Sequence, residues 1–116
     1  MPKLKLITLE VLLEMMENKE NFKLIETLSL ESFSLGHIQG AVNLPTPRDT
    51  TPEQISVKAE KLGINKTDIV ITYCASYTCV ASTRAARLLL EAGFTNVLDF
   101  KASKKGWVDA RFELKK

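Results

Sequence analysis

An α/β domain with a central, mostly parallel sheet and helices on both faces is predicted by this sequence on three observations. Apolar runs of strand length alternate with segments of helical period along the chain. The run Ile69-Val70-Ile71-Thr72-Tyr73 is β-branched and almost continuously apolar, as a strand buried on both faces of a parallel sheet must be. The 116 residues are the size of one compact domain, 1–116, with no repeat, low-complexity tract or linker to divide them.

The elements follow in chain order. Lys5 to Ile7 reads as a short strand, and Thr8 is a fair N-cap for a helix with Leu9, Leu12, Leu13 and Met16 on one face. The polar cluster from Glu17 to Asn21 ends that helix. Phe22 to Thr27 reads as a strand, Leu30 to Ser34 as one helical turn, and Ala41 to Leu44 as a strand before the breaks at Pro45 and Pro47. In Thr51-Pro52-Glu53 the threonine caps, proline suits the first helical position and the acid suits the dipole; Ile55, Ala59 and Leu62 then line one face until Gly63. Ile69 to Tyr73 is the expected central strand. After the segment Cys74 to Ala81, Ser82 looks like the cap of a helix carrying Ala85, Ala86, Leu88 and Leu89 up to Gly93. Val97 to Phe100 gives a last strand, and Lys115 and Lys116 read as a frayed end.

Composition narrows the function. Sixteen Lys and Arg against fourteen Asp and Glu leave a formal charge of +2, too small an imbalance to point to nucleic acid or an anionic membrane as partner. The pI of about 8.6 weakly favours small anionic substrates. No apolar run approaches the ~20 residues of a membrane span, and Met1-Pro2-Lys3-Leu4-Lys5 opens no export signal, so a cytoplasmic protein is expected. The two cysteines, Cys74 and Cys79, are too few and too close for a disulfide framework and fit a reducing compartment. They also lack the further ligands a zinc site requires, so neither metal nor cofactor is expected.

Cys74 draws attention by position. A cysteine at the carboxyl end of a central strand, before a short loop and a helix N-terminus, lies where open α/β sheets place their ligand crevices. If Ala75, Ser76, Tyr77, Thr78, Cys79 and Val80 curl around the Cys74 sulfur, their N–H groups and the helix dipole converge on it as in other anion nests. A hydrogen bond to a charged group contributes about 1.5–3 kcal/mol and a helix terminus about 0.3–1 kcal/mol. The expectation is a Cys74 thiolate formed below the ordinary thiol pKa of ~8.5.

The residues then resemble the rhodanese family over nearly the whole chain. Leu24-Ile25-Glu26-Thr27 followed by Glu31-Ser32-Phe33 is similar to its first signature, an apolar strand and acid before a short acidic-aromatic helix. Gly36-His37-Ile38-Gln39-Gly40-Ala41-Val42-Asn43-Leu44-Pro45 resembles its GHIxGAxNxP motif, a highly specific match. Ile69 to Cys74 with the helix from Ser82 to Gly93 resembles the active-site strand, loop and helix, and Gly106-Trp107 the C-terminal GW element. The resemblance implies a rhodanese-like fold and a sulfurtransferase. Cys74 would be the catalytic residue, taking sulfur from a small anionic donor such as thiosulfate, holding it as a persulfide and passing it to cyanide, a thiol or a protein acceptor. Residues Ala75 to Val80 would form the substrate-binding loop, with Cys79 a resolving thiol or a small buried hydrophobe.

Departures from the family pattern qualify that expectation. Glu26 and Leu28 stand where Asp and Arg are usual, so the customary ion pair lacks its cation. The loop has no Arg for the donor, and Arg84 and Arg87 on the next helix read as solvated face residues. Ala102-Ser103 replaces the usual Gly pair before Gly106-Trp107. His37 and Trp107 read as packing residues rather than as a base or a substrate platform. A phosphatase or arsenate reductase of the related fold would carry Arg six residues after the nucleophile, where this chain has Val80. The alternative from another class is a non-catalytic rhodanese-like module used for binding or regulation.

Overall fold

The computed structural model describes residues 4–116. Ten elements follow in order: β1 (Lys5–Ile7), α1 (Leu9–Glu17), β2 (Phe22–Glu26), α2 (Leu30–Leu35), β3 (Val42–Asn43), α3 (Pro52–Lys61), β4 (Ile69–Tyr73), α4 (Ala81–Glu91), β5 (Asn96–Phe100) and α5 (Ser103–Asp109). The strands lie in the order β1-β5-β4-β2-β3, and every pair in the sheet is parallel. From β4 the chain passes to β5 on one side, whereas from β2 it passes to β3 on the other. The carboxyl ends of these two adjacent strands therefore form the switch point at which open sheets hold ligands.

Alternation along the central strands divides the core into two layers. Ile25, Val70 and Val97 pack with Ile55 and Ala59 of α3 and with Ala85, Ala86 and Leu89 of α4. Leu24, Ile71, Tyr73 and Phe100 face the opposite way and pack with Leu12 and Met15 of α1 and Trp107 of α5. Each large apolar side chain so buried contributes about 1.5–3 kcal/mol.

Local chemistry sets the helix ends. Thr8 accepts from Val11 N (3.2 Å), and Thr51 accepts from Gln54 N (3.1 Å) while Gln54 Oε1 accepts from Thr51 N (2.9 Å), a reciprocal capping box. Gly63, at φ 79°, turns the chain out of α3 in the left-handed region that glycine enters without strain.

The C-terminus departs from expectation. Lys115 is not frayed: its N–H donates to His37 O (2.7 Å) and its carbonyl accepts from His37 N (2.8 Å). The tail is drawn back because Trp107 Nε1 donates to Glu113 O (3.1 Å) and Leu114 packs into the second core layer. His37 stacks on Phe33 with ring centroids 3.9 Å apart and Trp107 is buried, both as packing residues. Among the described residues, no helix is long and apolar enough to cross a membrane.

Candidate active site

β4 delivers Cys74 to the switch point, and the start of α5 pins it there. Cys74 N donates to Ser103 Oγ (3.0 Å), Cys74 O accepts from Lys104 N (3.1 Å), and Ala75 O accepts from Lys105 N (3.0 Å). Ser103 holds a φ of 59°, a conformation ordinarily left to glycine, and its hydroxyl is committed on both sides because it also donates to Phe100 O (3.1 Å). Serine thus supplies a tether to the cysteine strand where the family usually has a bare glycine. Gly106 remains indispensable, since a Cβ there would stand 2.5 Å from that of Ala102.

Beyond Cys74 the loop Ala75 to Val80 turns back on itself through Cys79 N to Ser76 O (3.1 Å). Helix α4 begins at Ala81, with Val80 as an N-cap that makes no side-chain bond. Ser82 is therefore not the cap. It lies within the first turn, buried, with its Oγ 3.4 Å from Cys74 Sγ. Its hydroxyl is spent on the thiol rather than on a helix amide.

The electrostatics reverse the expectation for Cys74. The residue is 0 % exposed, and burial is the main influence pushing its thiol above the ordinary value; the neighbouring Cys79 adds to this, and the side chain and N–H of Ser82 oppose it. The carbonyl of Cys79, 3.4 Å from Cys74 Sγ, accepts from a thiol and repels a thiolate. The loop instead favours the charged form of the other thiol, that of Cys79. Burial alone would raise the Cys79 thiol; hydrogen bonds from Cys74 and from the N–H groups of Ala75 and Ala81, with the charge of Lys101, outweigh it and bring it below the ordinary value. Low-pH thiolate character thus belongs to the half-buried Cys79.

Lys101, just past the end of β5, supplies the cation the loop lacks. Its Nζ donates to Cys79 O (2.9 Å) and Thr83 Oγ1 (3.1 Å) and lies 5.9 Å from the centre of the Tyr77 ring. Thr83 in turn donates to the buried Asp99 (2.8 Å). Sequence reading missed Lys101, although β5 is the parallel neighbour of β4 and its end must emerge beside Cys74. Arg84 is no solvated face residue either, because its Nη2 donates to Thr46 O (3.0 Å). Arg87 is exposed.

The family model of the rhodanese-like domain matches residues 8–110. The chain belongs to this family. Solved structures place the fold with it: the BH2092 protein of Bacillus halodurans has a TM-score of 0.81 at 20% identity, covering 96% of this chain and 76% of that one. The Alr3790 protein of Anabaena has a TM-score of 0.78 at 22% identity, covering 94% and 90%. Human single-domain sulfurtransferase TSTD1 has a TM-score of 0.71 at 17% identity, covering 89% and 94%. No curated protein matches the chain.

In this rhodanese-like domain the first signature keeps an ion pair after all. Glu26, 0 % exposed, receives the Lys104 ammonium at 3.0 Å on Oε2 and the Tyr73 hydroxyl at 2.8 Å on Oε1. The cation comes from α5 rather than from position 28. The same Tyr73 oxygen accepts from Ile38 N (3.0 Å), so three of the family's sequence elements meet at one buried carboxylate. A groove of about 690 Å³ leads away from the loop past Val80, Lys101, Thr83, Arg84 and Arg87. Among the described residues, no group of three His, Cys, Asp or Glu could hold a metal ion.

The sulfur environments predict an order of alkylation. With limiting iodoacetamide near neutral pH, Cys79 is expected to react first, because it is more exposed and ionises at lower pH. As pH rises its rate should level off, while labelling of Cys74, whose thiol is raised by burial, should still be increasing. Peptide mass spectrometry across a pH series reads both sites, and preferential labelling of Cys74 at neutrality would contradict the assignment.

Proposed function

We propose that this rhodanese-like domain is a sulfurtransferase carrying sulfane sulfur as a persulfide on Cys74. The donor is a small anion such as thiosulfate, and the acceptor is thiophilic: cyanide, a small thiol or a protein thiol. The observation that carries this reading is the meeting of Cys74, Ser82 and Lys101 at one end of the sheet. It joins a sulfur nucleophile, a hydroxyl 3.4 Å from it and a fixed ammonium group. In the first half-reaction the Cys74 sulfur, its proton lost to solvent, attacks the outer sulfur of thiosulfate. The new S–S bond forms as that of the donor breaks, and sulfite leaves with the bonding electrons. Lys101 offsets the donor's charge as it approaches. In the second half-reaction an acceptor takes the outer sulfur and Cys74 is released as a thiolate. Because Cys74 is sealed beneath the loop, both steps require the outer loop residues to shift; Tyr77 and Val80 project into solvent. Val80 gives a transferring phosphoryl group none of the bidentate support that an arginine provides.

Intact mass tests the carrier directly. After incubation with thiosulfate the protein should gain one sulfur atom on Cys74, removable by a thiol reductant. Lys101→Met should lower kcat/KM for thiosulfate by roughly 10–100-fold, the value of a hydrogen bond to a charged group. An uncharged organic trisulfide should suffer much less. Equal losses for both donors would assign Lys101 to holding the loop rather than to recognising charge. The second reading, a binding module, is favoured by the complete burial and raised pKa of Cys74, and failure to gain sulfur from any donor would establish it.

A further inference from the structure

Cys79 carries more order than a small buried hydrophobe would need. Its carbonyl lies 3.4 Å from Cys74 Sγ, and each of the two thiols shifts the ionisation of the other. The Lys101 ammonium, 2.9 Å from the same carbonyl, is itself oriented by Thr83 and, through it, by Asp99. Around the Cys79 thiol the N–H groups of Ala75 and Ala81 and the charge of Lys101 all favour the ionised form. It is also the more exposed of the two cysteines, with Cys74 behind it.

We propose that Cys74 and Cys79 act as a dithiol that reduces bound sulfane sulfur: the Cys79 thiolate attacks Cys74 Sγ in the persulfide, a Cys74–Cys79 disulfide forms, and the outer sulfur leaves as hydrosulfide. This rests on the persulfide reading above. The bond broken is that between Cys74 Sγ and the outer sulfur, which takes the electron pair and, with one proton, becomes HS⁻. The outer sulfur is reduced by two electrons, and the two cysteine sulfurs together are oxidised by two. Starting from thiosulfate, the sum is one sulfite and one hydrosulfide for one dithiol oxidised. Return to the starting state requires an external dithiol reductant, small or protein-borne, which opens the disulfide by exchange. The lowered pKa of Cys79 supplies the attacking thiolate, and its place in the same loop makes the attack intramolecular, so it competes with dilute external acceptors. The chain would then be a dithiol-driven sulfane-sulfur reductase when acceptors are scarce and a transferase when they are abundant.

The test uses the whole chain, reduced, freed of reductant without air and given one equivalent of thiosulfate. Intact mass and released sulfide are followed together. The parent is expected to lose two hydrogens and to release about one hydrosulfide per chain. Cys79→Ser should instead retain one extra sulfur atom and release none. A parent that holds the extra sulfur as durably as Cys79→Ser and releases no sulfide would overturn the dithiol step while leaving the persulfide carrier intact. If neither protein gains sulfur or releases sulfide, the carrier reading itself fails. Circular dichroism confirms that Cys79→Ser is folded, and the parent's mass and sulfide decide the matter without it.

Discussion

Cys74→Ser is expected to reduce sulfur transfer to background, a loss of at least about 10³-fold, since a serine hydroxyl cannot carry the persulfide assigned to Cys74. The fold should survive. The replacement hydroxyl is smaller than the thiol and finds acceptors already in place at Cys79 O and Ser82 Oγ, both 3.4 Å from the present sulfur. The stability change should therefore stay within about 1 kcal/mol. A sulfurtransfer assay paired with thermal denaturation reads both quantities. Turnover equal to that of the parent would remove Cys74 from the chemistry, and loss of turnover together with loss of fold would leave the role of the thiol undecided by this variant alone. Cys74→Ala then separates the two, because it removes the nucleophile without introducing a buried polar group.

What could be read from the sequence follows the range of the interaction involved. β4 was legible because burial on both faces requires an apolar, β-branched run, and Ile69 to Tyr73 is that run to the residue. The helix starting at Pro52 was legible because its capping residues lie within three positions of one another. Ser82 misled for the same reason that Thr8 and Thr51 did not: a hydroxyl before an apolar helix looks alike whether it serves its own helix or a sulfur eight residues back. Helix α5 was not foreseen, since Lys104, Lys105 and Gly106 offer no apolar period and its start rests on Ser103 in a conformation serine rarely takes. The direction of the Cys74 pKa depended on where six loop amides point. That is fixed by backbone angles and not by side-chain type, and in this loop the balance favours the charged form of Cys79 rather than that of Cys74. Lys101 and Lys104 are the largest omissions. Each acts across the sheet on a residue far away in sequence, and only the strand order shows which partner it meets.

The second large effect is expected from the buried pair that binds α5 to β2. In Lys104→Met the carboxylate of Glu26 stays at 0 % exposure with no counter-ion, whereas in the parent Lys104 is 14% exposed and 3.0 Å away. Removing one member of a buried pair costs about 3–5 kcal/mol, which for a chain of this size lowers the melting temperature by roughly 10–25 °C. The cost arises from the charge left behind rather than from the bond removed, so a second substitution should undo most of it. Glu26→Gln in the Lys104→Met background takes away the stranded charge and keeps an oxygen for the Tyr73 hydroxyl, now 2.8 Å from Oε1. The double variant should therefore be more stable than Lys104→Met alone by about 2 kcal/mol or more, a strongly non-additive cycle. Urea denaturation of the parent, both single variants and the double variant measures it. If Lys104→Met cost less than about 1 kcal/mol, the pair would be too well hydrated to hold α5. The anchoring of Cys74 would then fall to the backbone bond from Lys104 N and to Ser103 alone.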